Sequence, residues 1–424
     1  MSEWKEYQLG EILNFIDGDR GKNYPGKEDF FENAYCLFLN TGNVTSNGFN
    51  FEETSFITQE KDSMLRKGRL DRFDVVLTTR GTVGNVAYYD SSVPYNCVRI
   101  NSGMLIVRAR KAVLNSYIYQ LFRSEYMQSQ FSLFASGSAQ PQLPVKDLVH
   151  VTVKIPDLLV QKKVFFTISA YDNLIENNNR RIAILEEMAQ KLYREWFVHF
   201  RFPGHENVKM VESKMGLIPE GWKTTILKEL CQRIFSGGTP ATSTDEYWNG
   251  DLPWLSSGET RDEYIISTEK TITEEGAKNS STRFANKFNI VVASAGQGKT
   301  RGQTSLLLLD TYINQSVISI ETLEKHEAYI YFNIKGRYDE LRHFSDSSSI
   351  RGSLTVQIFN SLPILAPSEN VVEKFEKIAL SFITQIEALL KKNTNLRKTR
   401  DLLLPHLISG DIDVSNLDIP IKEG

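Results

Sequence analysis

The chain repeats itself once, in order, so any fold it adopts has to build one scaffold twice. Trp4-Lys5, running on to Leu9-Gly10-Glu11-Ile12, recurs as Trp222-Lys223 running on to Leu227-Lys228-Glu229-Leu230. The segment RFDVVLTTRGTVG, Arg72 to Gly84, returns as KFNIVVASAGQG from Lys287, and INSGMLIV from Ile100 returns as INQSVISI from Ile313. Each copy continues into a helix-like stretch, SYIYQLF or AYIYFNI. A small-polar segment closing on Leu follows, from Phe134 or from Phe344. VTVKIPDL, Val151 to Leu158, and SLPILAPS, Ser361 to Ser368, end the two copies. Identities are few, which means that the scaffold is shared while its surface content differs.

After each copy the pattern changes period. From Leu159 to Phe200 there is no proline or glycine, and Ile168, Ile175, Ile182, Leu185, Ala189, Leu192 and Trp196 recur at the spacings of an apolar seam. Such a helix is about 60 Å long at 1.5 Å per residue. A second stripe, Ile378, Ile386, Leu389, Leu390, Leu396, Leu403 and Leu407, lies between Val371 and Ile408. Two long amphipathic helices in one chain most simply bury their stripes against each other. Between them RFPGHENVKMVESKMGLIPEGW, with Pro203-Gly204, Gly216, Pro219 and Gly221, reads as a polar connector long enough to permit an antiparallel pair.

Length and composition narrow the class. At 424 residues, 41% hydrophobic and 24% charged, the chain is too long for a single core and reads as ordered and globular. No apolar run approaches the roughly 20 residues that span a bilayer, and the start MSEWKEYQLG lacks a signal-peptide pattern. A cytoplasmic location without membrane contact is expected. Cys36, Cys97 and Cys231 show no metal-ligand spacing and read as reduced, buried thiols, so no metal is expected. A net charge of −3 is low for a protein holding a phosphate backbone unaided. Either the chain does not bind nucleic acid, or partner subunits supply positive charge.

Taken together, the opening Trp, the strand meeting small polar residues and a glycine, the closing I-P or L-P before a long helix, and above all the connector from Phe200 to Trp222 resemble the specificity subunits of type I restriction-modification enzymes. The resemblance covers essentially the whole chain. It departs after Pro156, where Asp157-Leu158-Leu159-Val160-Gln161 replaces the family's more usual second proline and acidic residue. The resemblance implies an α+β fold with two mixed α/β target-recognition domains, separated by two long antiparallel, coiled-coil-like helices in an internal pseudo-twofold repeat. The expected parts are residues 1–156, first recognition domain; 157–200, first spacer helix; 201–221, connector; 222–367, second recognition domain; and 368–424, second spacer helix and tail. It implies that each domain reads one half of a split target in double-stranded DNA. The helices then fix the spacing and dock two methyltransferase subunits, and restriction and motor subunits join for cleavage. S-adenosylmethionine and ATP would belong to those partners, leaving this chain without cofactor or catalytic residues. A non-catalytic protein-protein scaffold with duplicated binding domains is the alternative.

Motifs of other classes fail on context. Ala293-Ser-Ala-Gly-Gln-Gly298-Lys299-Thr300 matches a relaxed phosphate loop, and Leu306 to Asp310 imitates a magnesium-binding strand end. A phosphate loop must open a helix that receives the anion, whereas Thr300 to Thr304 reads as a polar turn leading straight into the next strand. No N-P-P-Y or D-P-P-Y tetrapeptide is present for adenine methylation. Asp157 and Glu212-x-Lys214 supply the letters of a magnesium nuclease, but from a helix start and a connector. The six histidines, His150, His199 and His205 among them, have no metal or triad spacing.

Base reading needs donors and acceptors on loops that can reach a groove. In the first copy the candidates are Lys22, Asn23, Thr41, Asn43, Arg80, Thr82, Ser136, Ser138, Gln140 and Gln142. In the second they are Thr239, Ser256, Arg261, Ser294, Gln297, Lys299, Arg301, Ser348, Ser349 and Arg351. Asn101 and Asn314 hold matched positions before strands and suit either a turn or a base contact. Trp4 and Trp222 read as core anchors, and Trp196 as part of the helical seam or a face for a partner. For packing between the spacer helices the chosen residues are Ile175, Ile182, Leu185, Leu192, Trp196, Ile386, Leu389, Leu396 and Leu403.

Overall fold

Uninterrupted runs such as VVLT and MLIV, with no polar alternation, belong to strands covered on both faces. In the computed structural model, which describes residues 4–110, 112–135, 141–296, 298–347 and 352–419, they lie at the centre of two sheets. Close contacts divide the chain into two compact units, residues 1–175 with 395–424, and residues 176–394. The sequence boundaries at 156, 200, 221 and 367 follow secondary structure, whereas the compact units cut across both long helices.

In the first unit the antiparallel sheet has the order Leu13–Asp17, Met104–Ala109, Val75–Thr78, Val86–Tyr88. Val75, Leu77, Leu105 and Val107 face the helices Asn115–Arg123 and Glu125–Phe134 and pack with Tyr117, Leu121, Phe122 and Phe131. Val76, Met104 and Ile106 point the other way, into a second cluster with Leu37, Leu39, Val98 and Ile100. There Cys36–Leu39 runs parallel to Val98–Ile100. The opening strand Lys5–Gln8 pairs antiparallel with Thr152–Ile155, the strand that precedes the first long helix.

The second unit repeats this plan. Cys231–Ser236, Val317–Thr322, Ile290–Ala293 and Thr304–Leu307 follow in the equivalent order, with Tyr264–Ile265 added at the edge. Helices Glu327–Lys335 and Tyr338–Ser347 take the places of the first unit's pair, and Lys223–Ile226 pairs with Pro363–Ala366. The duplication extends to backbone conformation. Phe73 (φ 73°) and Phe288 (φ 68°), matched in the repeat, both lie in the left-handed region that a bulky residue rarely adopts. Each precedes a buried polar side chain: Asp74, held by Arg108 at 2.7 and 2.8 Å, and Asn289, which donates to Ser319 Oγ at 3.1 Å. The matched Asn101 and Asn314 each accept from the N–H two residues on, at 2.9 Å, so both build a turn.

The long helices span Leu158–Tyr193, extended by a π-helical turn at Arg194–Val198, and Glu369–Ser409. In each unit their segments run antiparallel. In the first, Val160, Val164 and Ile168 share a core with Leu404, Leu407 and Ile408, Asp172 bridges Arg123 and Arg400 at 2.7 Å each, and Lys163 Nζ reaches Ser415 O at 2.6 Å. In the second, Ile182, Ala189, Tyr193 and Trp196 pack with Phe375, Ala379, Ile383, Ile386 and Leu389. Of the chosen seam residues, Ile175, Ile182, Trp196, Ile386 and Leu389 are buried, and Leu185, Leu192, Leu396 and Leu403 are half-buried. Ile378 is exposed, because the seam of the second helix passes through Phe375 and Ala379, three residues before it and one after. The connector also departs from a plain polar loop: Met210–Ser213 and Gly216–Pro219 form a hairpin, and Phe202, Ile218 and Trp222 enter the core of the second unit. Trp4, its counterpart, is half-buried against Gly410, where an added Cβ would lie 2.9 Å from the indole.

Asparagines stand within this apolar seam. Asn178 Nδ2 donates to Asn393 Oδ1 and Asn393 Nδ2 to Asn179 Oδ1, both at 2.8 Å, with Asn178 and Asn393 buried. A shift of register would strand the buried Asn178 and Asn393 amides without their partners, so they select one alignment of the two helices. Asn393→Ala is expected to leave the buried Asn178 amide unsatisfied and to lower the stability of this unit by about 1–3 kcal/mol, read from the midpoint of its denaturant transition.

Nearby, the buried Glu376 carboxylate accepts from the N–H groups of Ala328 and Tyr329, at 3.1 and 2.7 Å, at the start of helix Glu327–Lys335. Burial pushes its pKa up to about 7, against 4.5 for an ordinary glutamate. Between those values the folded chain holds a proton that the unfolded chain releases, so stability falls as pH rises, by at most about 1.4 kcal/mol per pH unit. Glu186, pushed up to about 7 by burial and by Glu263, adds the same sign. E376Q is therefore expected to reduce this slope without abolishing it, measured as unfolding free energy across that window.

Candidate nucleic-acid interface

Loops that leave a sheet whose faces are both covered can present side chains only at its ends. In the first unit four such loops meet. Thr79 and Arg80 donate their N–H groups to Gly103 O at 2.8 and 3.2 Å, Leu143 donates to Thr79 O at 3.0 Å, and Arg80 pairs as a single bridge with Gln142. Thr41 closes the group: Cβ atoms added at Gly81 and Gly103 would lie 3.7 Å and 2.9 Å from its side chain. Thr41, Arg80, Thr82 and Gln142 thus gather around one edge, with Thr82 and Gln142 exposed. The buried Arg80 Nε has no acceptor among the described residues, a donor held without a protein partner. Lys22 and Asn23 stand on the neighbouring loop, which Arg20 ties to Ser102 O at 3.2 Å. Lys22 is exposed, while Asn23 donates to Met64 O.

Asn43 departs from its assignment as a base reader. It is 3% exposed and its amide is fully committed to backbone, accepting from Asn40 N at 2.9 Å and donating to Asn50 O and Glu53 O at 3.0 and 2.7 Å. It shapes the loop that carries Thr41.

In the second unit the loops converge on the turn at Asn314 to Ser316. Asn314 N donates to Leu255 O, Ser294 N to Ser316 O, and Thr239 Oγ1 to Gln315 Oε1. Gln315 is exposed and was missed, although it stands beside Asn314 in the repeated INQSV motif. Ser294 is 6% exposed and integral to the strand end, so it is framework where a reader was expected. Ser256 caps a short helix through Glu259. Arg261 and Lys299, both exposed, line one cleft of about 340 Å³ with Thr260, Gln303, Thr304 and Tyr338. Gln303 Oε1 has no partner among the described residues. Arg301 points inward, its two Nη atoms taken by Asp346 and Gly352 O, and its buried Nε has no partner among the described residues. Ser136, Ser138, Gln140, Gln297, Ser348, Ser349 and Arg351 lie outside the described residues.

The segment resembling a phosphate loop is the turn of a hairpin, since Ile290–Ala293 pairs antiparallel with Thr304–Leu307. No helix follows it to receive an anion. The cysteines, far apart in sequence, are partly brought together: parallel pairing sets Cys36 beside Cys97, with ligand atoms of both and of Asp62 within 4.8 Å of one another. Asp62 is already held by Arg99 at 2.5 Å and Arg69 at 3.4 Å, and burial pushes both thiols above their ordinary pKa, Cys36 the further. A cation would have to displace a guanidinium and expel two thiol protons, so the group reads as core. Among the described residues no helix is long and apolar enough to cross a membrane.

Comparison with known proteins matches this geometry to one family. The family model described as "Type I restriction modification DNA specificity domain" matches twice, at residues 1–187 and 219–398. The chain is 24% identical over 479 residues to the type I restriction enzyme HindI specificity subunit of Haemophilus influenzae, covering 97% of this chain and 100% of that protein. It is 24% identical over 349 residues to the MjaIX specificity subunit of Methanocaldococcus jannaschii, covering 81% and 78%. The crystal structure of the type I restriction-modification S subunit from M. genitalium shares the fold, with a TM-score of 0.61, 14% identity and 96% of each chain covered. With both halves of its repeat matched, the chain belongs to the type I restriction-modification DNA specificity family.

Proposed function

We propose that this chain is the sequence-reading subunit of a type I restriction-modification complex, with each copy of its scaffold reading one half of a bipartite target in double-stranded DNA. The observation that carries this is the repeat itself. One framework of strands, turns and helices is built twice, and the side chains on its matched loops differ: Thr41, Arg80, Thr82 and Gln142 in one copy, Arg261, Lys299, Gln303 and Gln315 in the other. A shared framework with unlike polar edges suits two readers of unlike sequences.

In this reading the long helices set the distance between half-sites and dock two methyltransferase subunits, and restriction and motor subunits join the full complex. The chain contributes no catalytic group; methyl transfer and ATP hydrolysis belong to the partners. A charge of −3 fits this division, because partners supply much of the positive surface that DNA demands. The complex works in the cytoplasm, where its DNA is.

Co-expression with a type I methyltransferase subunit that co-purifies with the chain, followed by mapping of modified adenines, tests the proposal. A split motif with a fixed gap is expected, and exchanging one copy of the scaffold for that of a relative should change one half only. Failure of any such subunit to co-purify, together with absence of chain-dependent methylation, would overturn it in favour of a protein-binding scaffold. Asn43→Ala, which removes the brace of the loop carrying Thr41, is expected to cost about 1–3 kcal/mol of stability, read from the midpoint of the first unit's denaturant transition.

A further inference from the structure

Three glycines with positive φ, Gly296, Gly298 and Gly302, give the loop between Ile290–Ala293 and Thr304–Leu307 wide conformational freedom. A loop of that composition would have to be ordered at each encounter with DNA, at a cost in affinity and discrimination. The structure supplies the order from outside the loop. From helix Tyr338–Ser347, Tyr338 Oη donates to Lys299 O at 2.8 Å, and Arg342 Nη1 donates to Gly298 O at 2.7 Å and to Arg301 O at 3.4 Å. The Tyr338 ring also lies 3.6 Å from where a Cβ on Gly302 would be. The loop's main chain is therefore gripped at three carbonyls while the Lys299 side chain stays exposed.

The first unit uses the same device with different chemistry. Its corresponding loop, with Gly81 and Gly84 at φ 71° and 94°, is gripped from the second helix of its own pair, Glu125–Phe134. Gln128 Nε2 donates to Gly84 O at 2.9 Å and to Phe122 O at 2.7 Å. Neither helix pair was linked to target reading by the sequence, where each opens as a helix-like, Tyr-rich stretch.

We propose that Tyr338 and Arg342 in one unit, and Gln128 in the other, are positioning residues that fix the glycine loops in the shape that discriminates bases. The inference rests on the reading that these loops meet DNA. Its test uses the full chain in complex with its methyltransferase subunits, measuring affinity at fixed salt for the mapped target and for duplexes changed by single bases in either half. R342M is expected to lower discrimination about tenfold, the worth of one lost base preference, in the half read by the second unit and to leave the other half unchanged. Y338F gives a smaller loss in the same half, and R342K, which keeps a donor, restores part of it. Q128M is expected to produce the mirror-image result. Unchanged discrimination, or equal loss in both halves, overturns the proposal.

Lys299→Ala separates this from failure of the underlying reading, since removing a cation at the DNA weakens binding to all sequences about equally and lowers its salt dependence. If K299A weakens binding and R342M does not alter discrimination, positioning alone is wrong. If both variants behave like the parent complex while that complex still selects its target, the loop is not at the DNA and both ideas fall. A parent complex that selects no sequence overturns the proposed function, and this inference with it.

Discussion

Neither compact unit closes its core with the residues of its own repeat. The first draws Leu404, Leu407, Ile408 and Val414 from the far end of the chain, and the second draws Ile182, Ala189, Tyr193 and Trp196 from the helix that follows the first repeat. Burial of these side chains supplies the large, non-directional part of the stability. It also makes the helical segments indispensable to the sheets they cover. A recognition unit of this kind includes its helices, and each helix serves two cores in succession.

Burial alone does not fix alignment, because an apolar stripe packs nearly as well one turn out of place. Polar groups make the choice. Asn178, Asn179 and Asn393 satisfy one another only in a single register, and Asp172 accepts both Arg123 and Arg400. Glu376 caps a helix of the second unit through two backbone N–H groups. Each of these groups is costly to bury unpaired, so misalignment is penalised at several points along the helices.

Much of this was legible in the sequence because it depends on period and order. The repeat landmarks, the two long helices and the hairpin nature of the segment resembling a phosphate loop all follow from local pattern. The site was less legible. Asn43 and Ser294 have the chemistry of readers, yet a hydrogen-bond network and a strand end absorb them, and Arg301 turns inward to Asp346. Nothing local distinguishes them from Thr82 or Lys299, since accessibility is decided by segments remote in sequence. The pairing of Cys36 with Cys97 was hidden for the same reason, as parallel strands join residues that no short-range spacing connects. Ile378 was misassigned because a helix seam drifts against a fixed repeat, and one residue of drift moves a side chain from seam to solvent.

The grip on the glycine loops is made to main-chain carbonyls, an atom type that every amino acid carries. Mutations that rewrite the side chains of such a loop leave its anchorage intact, and the sheet beneath, sealed on both faces, does not register the change. Variation can therefore accumulate at the edge of each unit without loss of the frame. A lineage built on this scaffold could acquire new targets by drift and recombination of edges, at a pace set by selection on DNA sequence rather than by the difficulty of folding.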